Sequence, residues 1–467
     1  MAYLLLLIIA IGLLLIATEL VNRINRAAVA MFMGVMCWLL YIAHGTSFVL
    51  AQHPIDFFAY ISANGVNVNS VKEYIASNIF LKYVAQCADI VLFLMATTTI
   101  VEVLNNNGCF DFIQRRLRYL PTSRFLWFTT LITFALSANI DNLTTTILIL
   151  SIVHPLLKES RCKRVITTNI VTAACTGGSI TVIGDMTTLK LWNDGMVTPT
   201  IYFLMIVCPI LVFQTFVSAA LCKSLPNRLP YSDTLPAYHG DDSLIKNWQK
   251  FILLVVGIGG LWFIPTFHRI TLLPPFLGGL CVLAFIWAIN EVFNRPLMSS
   301  DKMVRKRVPI ALQYANMQNL LFFIGLTLMF GALSETGLFT TARSFLNSHN
   351  IGLCTIGIST TLLSALFGSL STLIASADLF TTSPVHEAFT KPELFICDGS
   401  FWPLLVYSIT TGGLVFATSS IAGTIMARAG HITFKWYLIH VTPKVIIGYL
   451  LGFLCLCSEI YFILPNL

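Results

Sequence analysis

The sequence predicts an all-α polytopic membrane protein with two inverted repeats, each holding a re-entrant hairpin and a broken transmembrane helix. Three observations carry that expectation. The 467 residues are 56% hydrophobic and only 10% charged, where a soluble domain carries roughly a quarter, and many apolar runs approach the ~20 residues that cross a bilayer. Two basic loops flank a stretch too short for two crossings. Segments of the second half repeat segments of the first at nearly constant offsets.

Residues 1–21 read as a retained first span, because they lack a basic n-region and the apolar run is too long for a secretory signal. Arg23 and Arg26 then place the following loop in the cytoplasm. A span at 28–50 leads to an external segment, 51–84, and a span at 86–104 returns to Arg115, Arg116, Arg118 and Arg124. The next loop is also basic, with Lys158, Arg161, Lys163 and Arg164, yet only 124–156 lies between the two. Two crossings need ~40 residues and a turn, so this stretch is expected to enter and leave on one side, with its tip near 138–144. A span over 165–191 is interrupted by "TGGSITVIGD", and 198–221 is another span. The polar loop 222–247, with Lys223 and Arg228, leads to spans at 248–266 and 272–292 and then to Arg295, Lys302, Arg305, Lys306 and Arg307.

The second half repeats the plan. "LFLMATTTIVEVLNNNGCF" (92–110) aligns with "LFFIGLTLMFGALSETGLF" (321–339) at an offset of 229, Ser137-Ala138 with Ser364-Ala365 at 227, and Thr176-Gly177-Gly178 with Thr411-Gly412-Gly413 at 235. Span 317–333 exits outward, hairpin 350–376 precedes an acidic segment with Asp378, Glu387, Glu393 and Asp398 against Lys391, and broken span 400–426 returns to Arg428 and Lys435. The expected division is N-terminal scaffold helices (1–84), repeat 1 (85–221), linker loops and scaffold helices (222–316) and repeat 2 (317–460). Inverted repeats with broken helices are the architecture of secondary transporters, which bind cargo near the midplane.

The chemistry is expected at "ALSANIDNLTTTILIL" (135–150). A carboxylate at bilayer depth costs about 2.5–3.5 kcal/mol on insertion scales, so an unused one is disfavoured. Asp141, with Ser137, Asn139, Asn142 and Thr144, offers oxygen ligands suited to Na⁺, and protonation of the same carboxylate would compete with the cation. The alternative is that Asp141 only caps a half-helix. Asp185, beyond Thr176, Gly177 and Gly178, is a second candidate, against a solvated helix end. Glu102 is a secondary candidate near a cytoplasmic span end, and Glu335 reads as a solvated loop residue. The second repeat is neutral: Ser364, Ser369, Ser371, Thr372, Thr411, Gly412 and Gly413 either complete a coordination shell or allow close helix packing. The net charge of +7 sits in loops that set orientation, so nucleic acid is not an expected partner. The twelve cysteines show no metal spacing and read as free thiols.

On "SANIDNLTTTI" (137–147), "TGGSITVIGDMTTLKLW" (176–192), "VLFLMATTTIVEVLNNNG" (91–108), "FWPLLVYSITTGG…ATSSIAG" and "WYLIHVTPKVIIGYLLG" (401–452), the chain resembles the NhaD-type sodium/proton antiporters. The resemblance covers most of the chain. It implies exchange of Na⁺ or Li⁺ for H⁺, no cofactor, a homodimer in the inner (cytoplasmic) membrane, and elevator-like motion of a transport domain. It places the family's Asp-Asn motif on Asp141-Asn142 and its Gly-Asp motif on Gly184-Asp185. Two departures stand out: Gly368-Ser369 where the second hairpin usually carries Asp-Asn, and Val182 where a proline is usual. Two other classes fit parts of the pattern. A Na⁺-coupled dicarboxylate carrier would suit the neutral second repeat, and an intramembrane aspartyl protease would suit "VIGD" but lacks the first glycine and a Tyr-Asp partner.

Overall fold

A computed structural model describes residues 2–118, 120–231, 245–295, 317–348, 352–381 and 395–462. The protein is an all-α polytopic membrane protein. Among the described residues no strand forms, and the one extended pairing is an isolated bridge between Leu157 and Tyr231. Among the described residues, seven helices are long and apolar enough to cross a bilayer. The loop charges at Lys302, Arg305, Lys306, Arg307, Glu387, Lys391 and Glu393, and the side chain of Arg428, lie outside the described residues.

The chain opens with α1 (Ala2–Ala17), α2 (Glu19–Asn22), α3 (Arg26–Ala43), α4 (Gly45–Gln52) and α5 (Pro54–Asn64). Then α6 (Ser70–Tyr74), a π-helical turn (Ile75–Phe80) and α7 (Leu81–Asn106) run on as one helix, Ser70–Asn106. The sequence suggested a span of only 86–104, because Lys72, Glu73 and Lys82 depress local hydropathy. Backbone hydrogen bonding nevertheless carries the helix through them, with the π turn absorbing one register change. The chain continues with α8 (Asp111–Leu117), α9 (Thr122–Ser137), α10 (Asn142–Val153), α11 (Ser160–Ser179), α12 (Met186–Asn193), α13 (Pro199–Cys222), α14 (Asn247–Thr271) and α15 (Pro275–Asn294). The second half holds α16 (Met317–Ser334), α17 (Leu338–Ser348), α18 (Leu353–Phe367), α19 (Ser369–Thr381), α20 (Phe401–Gly412), α21 (Ile421–Ala429), α22 (Phe434–His440) and α23 (Thr442–Phe462).

Two compact units result. The first joins 1–89 to 318–413, and the second joins 90–317 to 414–467. In the first, α1 packs on α3 and α18, and the α18–α19 hairpin packs on α20. In the second, the α9–α10 hairpin packs on α11, α13 lies along α23, and α21 touches both α10 and α11. All twelve cysteines are free thiols; Cys37, Cys87 and Cys175 are buried, whereas Cys208 and Cys281 lie on the surface.

Two pairs of residues matched by the sequence offsets make matching hydrogen bonds. Ser137 Oγ donates to Ala174 O at 2.6 Å, and Ser364 Oγ to Ile409 O at the same distance. Thr176 donates to Thr172 O (2.7 Å), and Thr411 to Tyr407 O (2.6 Å). Both equivalences keep the offsets of 227 and 235 found in the sequence. A Cβ on Gly177 would meet the carbonyl of Phe134, and one on Gly412 would meet Thr361 O at 2.5 Å. Each hairpin therefore needs a bare glycine on its broken helix to lie this close. The double glycines thus serve hairpin packing as well as the break.

Two charged residues assigned to loops are buried instead. Arg26, the first residue of α3, is 7% exposed, 3.6 Å from Glu19 and stacked over Phe322 at 5.4 Å. Glu335 is 8% exposed rather than solvated. Its carboxylate meets His53 Nε2 at 2.7 Å and accepts from Tyr83 Oη at 2.8 Å. The hydrogen bond to Glu335 raises the His53 pKa above its ordinary value; burial opposes the rise, Asp56 adds to it and Lys82 subtracts. A raised histidine pKa favours the fold below the unfolded value, and that contribution disappears as pH climbs through the folded value. Thermal unfolding of purified protein is expected to lose stability as pH rises above about 6.5, and His53→Gln should flatten that dependence.

Candidate functional site

The site lies in the second unit, where two helix breaks meet. Helix α9 ends at Ser137 and α10 begins at Asn142, leaving 138–141 as a non-helical tip. Asp141 is the N-cap of α10: its Oδ2 accepts from Leu143 N (3.2 Å), Thr144 N (3.3 Å) and Thr144 Oγ1 (3.4 Å). The capping role weighed from sequence is therefore real, but it uses one oxygen. Oδ1 is buried and makes no hydrogen bond among the described residues. A carboxylate oxygen in that state costs several kcal/mol unless a proton or a cation joins it.

The second break runs from Ile180 to Asp185, between α11 and α12. Asp185 caps α12, and each of its oxygens has a hydrogen-bond donor. Oδ1 accepts from Met186 N (2.8 Å) and from Asn142 Nδ2 (3.0 Å), while Oδ2 accepts from Thr187 Oγ1 (2.7 Å). Asn142 thus ties the two acidic caps together, and Asp185 acts as an acceptor that fixes the tip. Thr181 Oγ1 donates to Ala138 O at 2.5 Å, a second clasp between tip and break. Gly184 makes the approach feasible: a Cβ there would lie 2.6 Å from both Ser137 O and Gly178 O. Both oxygens are backbone, so neither can move aside.

Other sequence candidates fall into place unevenly. Asn139 donates to Ala135 O (2.9 Å) and closes the end of α9. Thr176 lies 3.0 Å from Gln214 Oε1, at the head of a buried chain in which Gln214 donates to Ser218, Ser218 to Asn169 and Asn169 to Thr130. Glu102 is half-buried on α7 and is not among the partners of Asp141, Asn142 or Asp185. In the second repeat, Ser371 donates to Phe367 O (2.8 Å) and Thr372 to Gly368 O (2.9 Å). Ser369 packs against Gly413, whose added Cβ would lie 3.1 Å from it. The link between α18 and α19 is the single residue Gly368, at φ +94°, so this hairpin has no non-helical tip comparable to 138–141.

The sequence matches the citrate transporter family (CitMHS) over residues 5–397. The chain belongs to this family. Within that frame its relatives are named for ion exchange. The sodium/proton antiporter 2 of Arabidopsis thaliana is 27% identical over 371 residues, 79% of this chain and 84% of that protein. The sodium/proton antiporter 1 of the same plant is 27% identical over 378 residues, 79% of this chain and 61% of its own length. The Na⁺/H⁺ antiporter NhaD of Vibrio cholerae is 24% identical over 394 residues, 78% of this chain and 77% of that protein. The resemblance to NhaD-type antiporters read from the motifs agrees with these matches.

Two residues of this citrate transporter family member escaped the motif reading. Tyr202 Oη donates to Ser179 O at 2.5 Å, on the last turn before the first break. Tyr437 Oη donates to Leu414 O at 2.7 Å, beside the second break. The pair is again 235 residues apart, as are the N-caps Asp185 and Ser420 and the helix starts Met186 and Ile421. The offset already sets Ser419-Ser420 opposite Gly184-Asp185 in the sequence, and extending it along the chain pairs the two tyrosines as well.

Proposed function

We propose that the protein is a secondary active transporter that exchanges Na⁺ or Li⁺ for H⁺, cation and proton competing for Asp141. One observation carries the reading: Asp141 is buried, with one oxygen holding the helix cap and the other without a hydrogen bond among the described residues. Ser137, Asn139, Asn142 and Thr144 surround that carboxylate in sequence, and the relatives' names point the same way. Asp185 holds Asn142 and keeps acceptor capacity on Oδ2, which has one donor. Its hydrogen-bonded oxygens also fit a transporter better than a protease, which needs two carboxylates free for acid and base work.

Helix length supports the re-entrant reading. The 16 residues of α9 and 12 of α10 reach about 24 and 18 Å at 1.5 Å per residue, short of the ~30 Å hydrocarbon core. The 15 residues of α18 and 13 of α19 are equally short. Inverted repeats at 85–221 and 317–460, a homodimer and residence in the inner (cytoplasmic) membrane belong to the same proposal. The family description and the hydroxyl-rich second repeat favour a second reading, a Na⁺-coupled carrier of citrate or a similar di- or tricarboxylate.

Proteoliposomes containing a pH dye separate the two. Exchange predicts that an inward Na⁺ gradient alkalinises the lumen without citrate. Citrate uptake driven by Na⁺, with no proton movement in its absence, would establish the second reading instead. Tyr202→Phe provides a finer test. Losing one hydrogen bond of about 1 kcal/mol at the break should raise the Na⁺ concentration for half-maximal exchange about fivefold, with the maximal rate little changed.

A further inference from the structure

A second cluster of ligating groups lies away from both helix breaks. Cys208 of α13 faces Cys455 of α23, with the two Sγ atoms 3.7 Å apart. Glu459, one turn further along α23, places Oε1 4.0 Å from Cys455 Sγ. One ligand atom from each of the three residues lies within 4.8 Å of the others. The helices that carry them are closely packed, and a Cβ on Gly448 of α23 would lie 3.0 Å from Val217 and 3.2 Å from Phe213 of α13. Glu459 Oε2 is buried without a hydrogen bond, and the partners of this carboxylate among the described residues are the two thiols. A carboxylate in an apolar span is costly and marks a functional site by default; neither thiol compensates a negative charge.

We propose that Cys208, Cys455 and Glu459 form a binding site for a soft divalent cation such as Zn²⁺ or Cd²⁺. The spacing fits the coordination chemistry. Zn–S bonds of ≈ 2.3 Å and Zn–O bonds of ≈ 2.0–2.2 Å on a tetrahedral ion put two sulfurs about 3.8 Å apart and a sulfur and oxygen about 3.6 Å apart. The thiol pair is already at that separation, and the thiol–carboxylate pair needs a shift of a few tenths of an ångström. Binding converts two thiols to thiolates and releases two protons; the two sulfurs offset the dication, and the Glu459 carboxylate brings the site to a net charge of −1. The carboxyl group of Glu459 supplies the third ligand. Three protein ligands on a tetrahedral ion leave a fourth coordination position open. Sequence spacing alone could not find the site, because its cysteines stand 247 residues apart. The inference does not depend on ion exchange at Asp141.

Titration of the detergent-purified protein with Cd²⁺, read by the ultraviolet thiolate-to-metal charge-transfer band and competed with Zn²⁺, tests it. The wild type should take up one Cd²⁺ per chain at this site. In the Cys208→Ser/Cys455→Ser double variant, affinity should fall on the order of 100-fold or more, and in Glu459→Gln roughly tenfold. Size-exclusion profile and melting temperature report whether each variant folds. Cys208→Ala, on the exposed side, keeps the test open should the double variant fail to fold. Absence of binding by the wild type, undiminished binding by either folded cysteine variant, or a Cys208–Cys455 cross-linked peptide in freshly purified protein would overturn the proposal.

Discussion

Asp141→Asn is expected to lower Na⁺-driven proton exchange on the order of 100-fold or more while leaving the fold intact. Asparagine caps helices about as well as aspartate, so the bonds to Leu143 N and Thr144 N keep an acceptor. The unpartnered Oδ1 is what changes. In the amide that position can neither ionise nor be protonated, and competition between cation and proton ends. Fluorescence dequenching in everted vesicles reads the rate, and a melting temperature within a few degrees of wild type separates lost chemistry from lost structure. Asp185→Asn acts differently. It weakens acceptance from Met186 N, Thr187 and Asn142, so the tip loosens and affinity falls, with exchange reduced but present.

Gly184→Val is expected to abolish exchange by another route. Its Cβ would lie 2.6 Å from Ser137 O and from Gly178 O and 2.9 Å from Gly178 Cα. Overpacking in a closed interior costs about 1–3 kcal/mol even where side chains can yield; here the neighbours are backbone, so tip and break must separate. Melting by several degrees below wild type and loss of Na⁺ response should occur together. Gly259→Ala is the control. Its nearest neighbour for an added Cβ is Val255 at 4.0 Å, and alanine in a helix is worth roughly 0.5–1 kcal/mol over glycine. That variant should transport normally and melt no lower.

Much of the architecture was legible because its signals are local or periodic. Hydropathy marked the spans, and "TGGSITVIGD" marked the break at 180–185. The offsets of 227 and 235 marked pairs that prove to make the same hydrogen bond, as Ser137 and Ser364 do. What hid depends on long-range partners. Glu335 looked solvated because nothing near it in sequence compensates it, yet His53 does so from 282 residues away. Arg26 looked like a loop charge because its stacking partner, Phe322, lies in the other half of the chain. Asp185 reads from sequence as a candidate ion ligand, and only the fold reveals that Asn142 and Thr187 both donate to it.

The unequal hairpins show where repeat logic stops. The offset sets Gly368 opposite Asp141, and the missing acid reads as a simple loss. In the fold, Asp141 sits at φ −45° as the N-cap of α10, whereas Gly368 is the one-residue link between two helices at φ +94°. An aspartate in that left-handed conformation would be strained. The second hairpin therefore differs from the first in backbone as well as side chain, and placing an acid at Gly368 alone would not build a second site.

The central claim is that one carboxylate is contested by a cation and a proton. The most direct measurement adds NaCl to purified protein in weakly buffered detergent solution and follows released protons with a pH indicator. The account predicts about one proton released per Na⁺ bound at a pH where Asp141 is protonated, no release with choline chloride, and none from Asp141→Asn. Proton release of wild-type size from folded Asp141→Asn, or Na⁺ binding by the wild type with no release at any pH, would contradict it.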